Sequence, residues 1–122
     1  MLNECYFVGN LTKEVEERKV KSQDGKEYGL AQFTIAVNGK SEKDTSFINC
    51  TAWDKKAELA LRMLSKGDQV FVKGALHNAM YKNNKNEWVL KSDLLVISFF
   101  KIERAEAKKE EPEPPFDFPN GI

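Results

Sequence analysis

The side chains with the clearest capacity for chemistry lie on a predicted strand that runs from Phe47 to Trp53. Alternate side chains of a strand face opposite sides, and the small set Ile48, Cys50 and Ala52 suits a core. Phe47 and Trp53 then lie on the opposite, polar face, about 20 Å apart at about 3.3 Å per residue. Exposed rings of this kind stack flat molecules such as nucleic-acid bases, or they pack in a subunit interface. This strand alone leaves both interpretations open.

The next predicted strand, 69–77, repeats the arrangement. Its apolar side chains are Val70, Val72 and Leu76, and its other face is aromatic or basic: Phe71, Lys73, His77 and, if no bulge intervenes, Tyr81. Trp88 begins the following strand, across a polar turn. Bases stack on rings at about 1–3 kcal/mol each, and lysines neutralise phosphates without reading the sequence. The cations available for this role are Lys55, Lys56, Lys66, Lys73, Lys82 and Lys85.

Signals for catalysis are weaker. The sequence holds neither a GxxxxGK[ST] loop nor a GxGxxG turn for phosphates. His77 is the only histidine, and Cys5 and Cys50 lie far apart, so a metal cage of histidines or thiolates is not available. We therefore expect a binding protein that is not an enzyme and uses no metal or cofactor. A nuclease would need a cluster of carboxylates on the face that carries the lysines.

Hydrophobic periodicity places these residues on five strands and one helix. Asp54 is a suitable N-cap for the helix, and Gly67 is a suitable stop. A single helix between the third and fourth of five strands is typical of a small barrel whose end the helix plugs. We predict an all-β fold with one helix, a five-stranded OB-fold Greek-key barrel. The predicted strands are 2–8, 30–38, 47–53, 69–77 and 88–102, and the predicted helix is 54–66.

Charge divides the 122 residues into a body and a tail. Residues 1–104 carry a formal charge of +3 and residues 105–122 one of −3, which cancel to the net charge of zero. Such a split is typical of nucleic-acid contact combined with an acidic tail. We therefore predict one domain, 1–104. The beginning of the chain lacks a basic, apolar leader, and no apolar run reaches eighteen residues, so we expect a cytoplasmic protein.

The segment 105–122 contains all four prolines and several acidic residues, a composition that predicts a disordered tail. Aromatic residues near its end could anchor a short partner-binding peptide or dock back on the body. The residues of this candidate peptide are Phe116, Asp117, Phe118 and Pro119.

Four segments together resemble one known family. They are MLNECYFVGNLTKEVEER at 1–18, AQFTIAVN at 31–38, FINCTAW at 47–53 and LSKGDQVFVKGAL at 64–76. In this order they are similar to the bacterial and phage single-stranded DNA-binding proteins, and most of all to versions from low-GC Gram-positive bacteria and their phages. The resemblance covers about residues 1–102. It implies an OB barrel, a homotetramer, and sequence-tolerant coating of single-stranded DNA in replication, recombination and repair. It also implies that the acidic tail docks replication and recombination proteins.

The resemblance implies roles for particular residues. Phe47, Trp53 and Tyr81 match stacking positions, and Lys55 and Lys66 match basic positions. The pattern of the strand faces adds four candidates to these, Trp88, Lys56, Lys73 and His77.

The sequence departs from the family pattern in several places. Val15 replaces a usual proline, the loop after Val37 lacks an aromatic residue, and 77–80 reads HNAM where relatives are often basic. The tail ends in FPNGI instead of an acidic run that closes on Pro-Phe. An OB-fold protein-interaction module of a replication complex is the alternative function. In that case Phe47 and Trp53 would lie in a protein interface.

Overall fold

Six strands and one helix form within residues 1–41 and 43–103, which are the residues that the computed structural model describes. Alternation is clear in the third strand, where Ala31, Phe33 and Ile35 are buried. In chain order the elements are β1 (Cys5–Leu11), β2 (Glu16–Lys21), β3 (Glu27–Asn38), β4 (Thr45–Trp53), α1 (Asp54–Met63), β5 (Gln69–Lys82) and β6 (Trp88–Ile102).

Five of the strands close into a barrel. The sheet order is β1-β5-β6-β4-β3-β2, and β1 pairs back onto β3 through Asn10 opposite Ala36 and Leu11 opposite Ile35. β4 and β6 run parallel, whereas the other neighbouring strands run antiparallel. The helix lies between the third and fourth barrel strands in chain order, as the sequence predicted. This arrangement confirms a five-stranded barrel of the OB type with one helix.

The sixth strand, β2, was not predicted because every one of its side chains is exposed. Its sequence EERKVK has no apolar alternation, and it pairs with the first half of β3, beginning at Lys21 opposite Glu27. The connecting turn has Gly25 at a φ of 88° and a backbone N–H of Lys26 that donates to the Asp24 carboxylate at 3.1 Å. Turn geometry and hairpin pairing, rather than burial, therefore form this strand.

Helix α1 covers the core where β3 and β4 lie beneath it. Ala57 and Ala60 are buried against the barrel, and Leu64 joins them just after the last turn. Small side chains let the helix backbone approach the sheet closely. Within the part of the chain that the structure describes, no helix has the length and apolar character needed to span a membrane.

The ends of the helix differ from the prediction. Trp53 occupies the N-cap position and makes no capping side-chain hydrogen bond, while Asp54 is the first helical residue, with a φ of 53°. The predicted capping role of Asp54 is therefore wrong. The helix ends at Met63, and Gly67 lies in the next turn at a φ of 89°, where its N–H donates to the Leu11 carbonyl at 2.9 Å. Gly67 thus anchors the turn after the helix to β1.

Candidate nucleic-acid interface

The outward face of β4 presents the two predicted aromatic rings. Phe47 is 64% exposed and Trp53 is 38% exposed, whereas Cys50 and Ala52 are buried on the inward face. Pairing with β3 sets Phe47 opposite Ala36 and Trp53 opposite Leu30, so small or aliphatic side chains flank each ring. We name the outward residues of β4 the stacking face: Phe47, Asn49, Thr51 and Trp53.

Burial on the inward side of β4 has an electrostatic consequence. It raises the pKa of the Cys50 thiol to about 12, and the negative charge of Asp93 adds to this effect. The thiol is therefore neutral near neutral pH and acts as a small apolar side chain in the core.

Polar side chains fill the space between the two rings. The Thr34 hydroxyl donates to Asn49 Oδ1 at 2.9 Å, and the Thr51 hydroxyl donates to Asp93 Oδ2 at 2.7 Å. Beside these bonds lies an open cleft of about 190 Å³, which we name the polar cleft. Its lining residues include Lys13, Gln32, Thr34, Asn49, Lys91 and Asp93.

Sequence reasoning missed most of the polar cleft. Asp93 is the only charged residue in the run from Ser92 to Ser98, and a lone acid within an otherwise apolar segment is a signal that could have found it. Lys13 and Lys91 carry no such signal, because isolated lysines on strand faces and in loops are common. The barrel closure brings the residues of the polar cleft together from four separate parts of the chain.

Tyr81 lies on the long hairpin formed by β5 and β6, and it is 46% exposed. A bulge does interrupt this hairpin, because Lys73 pairs with Ser98 while Gly74 pairs with Val96. The extra residue is therefore on β6, and the alternation of β5 continues unbroken. Tyr81 lies four residues after His77 on this strand, so the two side chains share a face.

His77 is exposed and links this hairpin face to the polar cleft. It pairs directly with Asp93, whose carboxylate bonds to Thr51 on the stacking face. The structure therefore brings His77 close to the cleft, and Tyr81 continues the same surface along the hairpin.

Trp88 lies on the other face of the hairpin. It pairs with Lys82, and the Lys82 ammonium lies 5.2 Å from the centroid of the Trp88 ring. Met80 pairs with Leu90 on the same side, and both are exposed. The structure therefore does not bring Trp88 together with Tyr81 on one face.

The predicted cations do not all lie on one surface. Lys55 and Lys56 are exposed in the first turn of α1, directly after Trp53. Lys66 is also exposed, in the turn after the helix, where its backbone N–H donates to Glu14 at 3.2 Å. Lys73 lies elsewhere on the barrel, beside the Tyr6 ring.

A second aromatic surface covers β1, β5 and β6. The rings of Phe71 and Phe100 stack at 5.0 Å, and Tyr6 lies 6.1 Å from Phe71. We name Tyr6, Val8, Phe71 and Phe100 the aromatic patch. Lys73 borders it, with its ammonium 3.7 Å from the Glu4 carboxylate and 5.9 Å from the Tyr6 ring centroid. Exposed aromatic clusters of this kind mark protein interaction surfaces.

The fold and the two surfaces define a class of binding protein. Residues 1–41 and 43–103 contain no group of three or more His, Cys, Asp or Glu side chains that could hold a metal ion. The model of the single-strand binding protein family matches residues 2–100. The chain belongs to the single-strand binding protein family, which is not a family of enzymes.

Two curated relatives and one solved structure illustrate this membership. Single-stranded DNA-binding protein 1 of Streptococcus pyogenes serotype M18 is 33% identical over 109 residues, which cover 85% of this chain and 81% of the relative. The single-stranded DNA-binding protein of Halalkalibacterium halodurans is 33% identical over 103 residues, or 80% of this chain and 59% of the relative. The crystal structure of wild-type single-stranded DNA binding protein from Thermus aquaticus aligns with a TM-score of 0.64 at 26% identity, and the match covers 84% of this chain and 41% of that one.

These relatives confirm the resemblance that the sequence predicted, including the likeness to proteins of low-GC Gram-positive bacteria. The chain spans only part of the Halalkalibacterium and Thermus proteins, so their activities as whole proteins do not transfer directly.

Proposed function

We propose that this protein binds single-stranded DNA without sequence specificity and coats it during replication, recombination and repair. One observation carries this proposal: two exposed rings flank a polar surface on β4, with exposed lysines at its borders. Bases would stack on Phe47 and Trp53, and Tyr81 would extend the surface along the hairpin. The names of the relatives, which are single-stranded DNA-binding proteins, support the same substrate.

The lysines supply affinity that is independent of base identity. Lys55 and Lys56 adjoin Trp53, and Lys13 and Lys91 line the polar cleft. Each phosphate that a lysine neutralises releases a counterion, so affinity falls as salt rises. In a duplex the bases are stacked on one another inside the double helix, so they cannot stack on Phe47 or Trp53. The surface is therefore expected to discriminate between single and double strands.

A titration with a fluorescently labelled oligo-dT tests this function. We expect saturable binding that weakens with salt, and little binding to a duplex of the same length at moderate salt. Equal affinity for duplex and single strand, or no binding to oligo-dT at low salt, would contradict the proposal. An oligo-U RNA in parallel tests whether the surface distinguishes DNA from RNA.

We further propose that the protein forms a homo-oligomer, a tetramer according to the family resemblance. The aromatic patch and the adjoining edge of β1 are the surfaces that suit this contact. β1 pairs with β3 only at Asn10 and Leu11, so its earlier residues have an open edge on that side among the described residues. Exposed strand edges pair readily with other chains.

The remaining roles also stand as proposals. Residues 105–122 would form the acidic tail that recruits replication and recombination proteins, and the expected site of action is the cytoplasm, at the nucleoid. The proposed peptide of Phe116, Asp117, Phe118 and Pro119 lies outside the described residues. The domain boundary at 104 is likewise a prediction.

A second candidate function, a protein-interaction module of a replication complex, is favoured by the exposed aromatic patch alone. Under this alternative, replacement of Phe47 and Trp53 would change the oligomer mass while oligo-dT affinity would be negligible in every variant. The oligo-dT titration combined with light scattering therefore separates the two functions.

A further inference from the structure

The polar cleft lies where a bound strand has to pass. Phe47 and Trp53 are about 20 Å apart along β4 at about 3.3 Å per residue, and between them on the same face Asn49 is exposed and Thr51 is buried. A strand that stacks bases on both rings therefore runs over the cleft. At about 30 Å³ per water molecule, the 190 Å³ of the cleft holds several waters and can admit the edge of a base.

An unpaired carboxylate lies at this cleft. Asp93 is half-buried, and its Oδ2 accepts the Thr51 hydroxyl at 2.7 Å. Among residues 1–41 and 43–103, no lysine, arginine or histidine nitrogen lies within 4.0 Å of this carboxylate. The other carboxylate oxygen, Oδ1, is free to accept a hydrogen bond, and it lies beside the surface that is proposed to bind polyanionic DNA. A carboxylate repels phosphate, but it accepts hydrogen bonds from the N–H groups of a base.

Asn49 supplies the complementary donor. Its Oδ1 accepts the Thr34 hydroxyl at 2.9 Å, and Nδ2 is the group left for a ligand. Asp93 and Asn49 both line the polar cleft. An acceptor therefore lies near a donor at the place where a base edge would enter.

When the 4-position of a pyrimidine faces Asp93, this pair of groups matches cytosine better than uracil or thymine, whose only donor on this edge is N3–H. Cytosine presents the N4 amino donor beside its N3 acceptor, and carboxylates accept from N4. Thymine and uracil carry the O4 acceptor in place of the amino group. An anionic acceptor repels that carbonyl oxygen, whereas it attracts the amino group.

We propose that the polar cleft reads one base edge of the bound strand and that Asp93 favours cytosine there over uracil and thymine. Asp93 then gives one subsite a modest base preference, while the surface as a whole binds without sequence specificity because its other contacts are stacking and charge. This inference rests on the proposed binding of single-stranded DNA and names the chemistry of one subsite within it.

The test compares oligo-dC with oligo-dU of equal length, for the wild-type protein and for Asp93→Asn. Cytosine carries the N4 amino group where uracil carries O4, and only uracil carries a proton on N3. The titrations are made at slightly alkaline pH, where cytosine stays unprotonated. The ratio of the two affinities is compared between the proteins, because stacking differences between the probes then cancel. Asp93→Asn keeps an oxygen for Thr51 and places an NH₂ donor where the acceptor was.

We expect the preference for dC over dU to fall about fivefold or more in Asp93→Asn, in keeping with one charge-assisted hydrogen bond. An unchanged ratio, with both affinities raised together, would overturn the proposal, since Asp93 would then act through its charge alone. Glu27→Gln is the matched control. Glu27 carries the same charge and is exposed at the start of β3, outside the lining of the polar cleft. We expect this control to leave the ratio unchanged.

A change to the DNA gives a second test that leaves the protein intact. Oligo-dC with N4,N4-dimethylated bases lacks the amino donors, so we expect the wild-type protein to bind it more weakly than plain oligo-dC. Asp93→Asn should show a smaller difference between the two. Equal losses in both proteins would overturn the proposal. Failure of the wild-type protein to bind oligo-dT, oligo-dC and oligo-dU alike would instead refute the proposed function.

Discussion

At the scale of single residues, the proposed function depends on two rings that the barrel leaves exposed, Phe47 and Trp53. We expect Phe47→Ala and Trp53→Ala each to weaken oligo-dT binding by about fivefold to a hundredfold, since a stacked base contributes about 1–3 kcal/mol. Folding should change little, because both side chains lie outside the core. Fluorescence anisotropy with a labelled oligonucleotide measures the affinity, and urea unfolding checks stability.

Trp88→Ala is the matched control for these variants. Trp88 is as exposed as Phe47, but it lies on the opposite face of the hairpin from Tyr81. We expect its removal to reduce affinity much less than removal of Trp53. A loss at Trp88 equal to that at Trp53, or no loss at Trp53, would refute the assignment of the stacking face.

Burial of the Cys50 thiol predicts how the folding stability of the protein depends on pH. Burial raises the pKa of this thiol from the ordinary value of 9.0 to about 12. The unfolded thiol loses its proton at lower pH than the folded one, so the stabilisation is complete below about pH 9 and is lost as pH rises toward about 12. We expect wild-type stability to fall more between about pH 8 and about pH 10.5 than that of Cys50→Ala. Urea unfolding at both values measures this, and equal falls would contradict it.

At the scale of elements, closure of the barrel depends on close approach of β1 to β3. A Cβ at Gly9 would lie 2.5 Å from the Ala36 carbonyl oxygen. We therefore expect Gly9→Ala to destabilise the protein by about 1–3 kcal/mol through overpacking. Gly29→Ala in β3 is the control, because its Cβ would meet no atom within 4 Å. Thermal unfolding of both variants tests the difference, and a destabilisation of equal size in both would argue against tight closure.

The strands and the helix differ in how well the sequence alone predicts them. Alternation of buried and exposed residues predicted the barrel strands and the helix, because burial leaves a period in the sequence. β2 left no such period, since its side chains are all exposed. The face of Trp88 depends on its pairing with Lys82, and the role of Asp93 depends on its contact with Thr51. The first depends on the register of the hairpin, and the second joins residues 42 positions apart, so neither can be read from local pattern.

At the scale of the whole molecule, the slope of affinity against salt locates the cations that bind the strand. Each phosphate contact contributes about −0.7 to the slope of log affinity against log salt concentration for a single strand. We expect Lys55→Ala to make the slope shallower by about this amount. Lys73→Ala should leave it nearly unchanged, because Lys73 borders the aromatic patch and is paired with Glu4. Equal changes in the two variants would place Lys73 on the path of the DNA.

Assembly is expected to use the aromatic patch rather than the stacking face. We expect Phe100→Asp to lower the solution mass from about four times the 13.9 kDa of one chain, because it places a charge against the stacked ring of Phe71. Phe47→Ala should leave the mass unchanged. Light scattering measures both variants, and the reverse pattern would support the interaction-module alternative.

The most direct test of base stacking follows the fluorescence of Trp53 alone. Trp88→Phe leaves Trp53 as the single tryptophan of the chain. During titration of this variant with oligo-dT, we expect strong quenching that saturates together with the anisotropy of the labelled strand and is reversed by salt. Tight binding by anisotropy with unchanged Trp53 emission would mean that the strand lies elsewhere on the barrel, and the stacking face would be refuted.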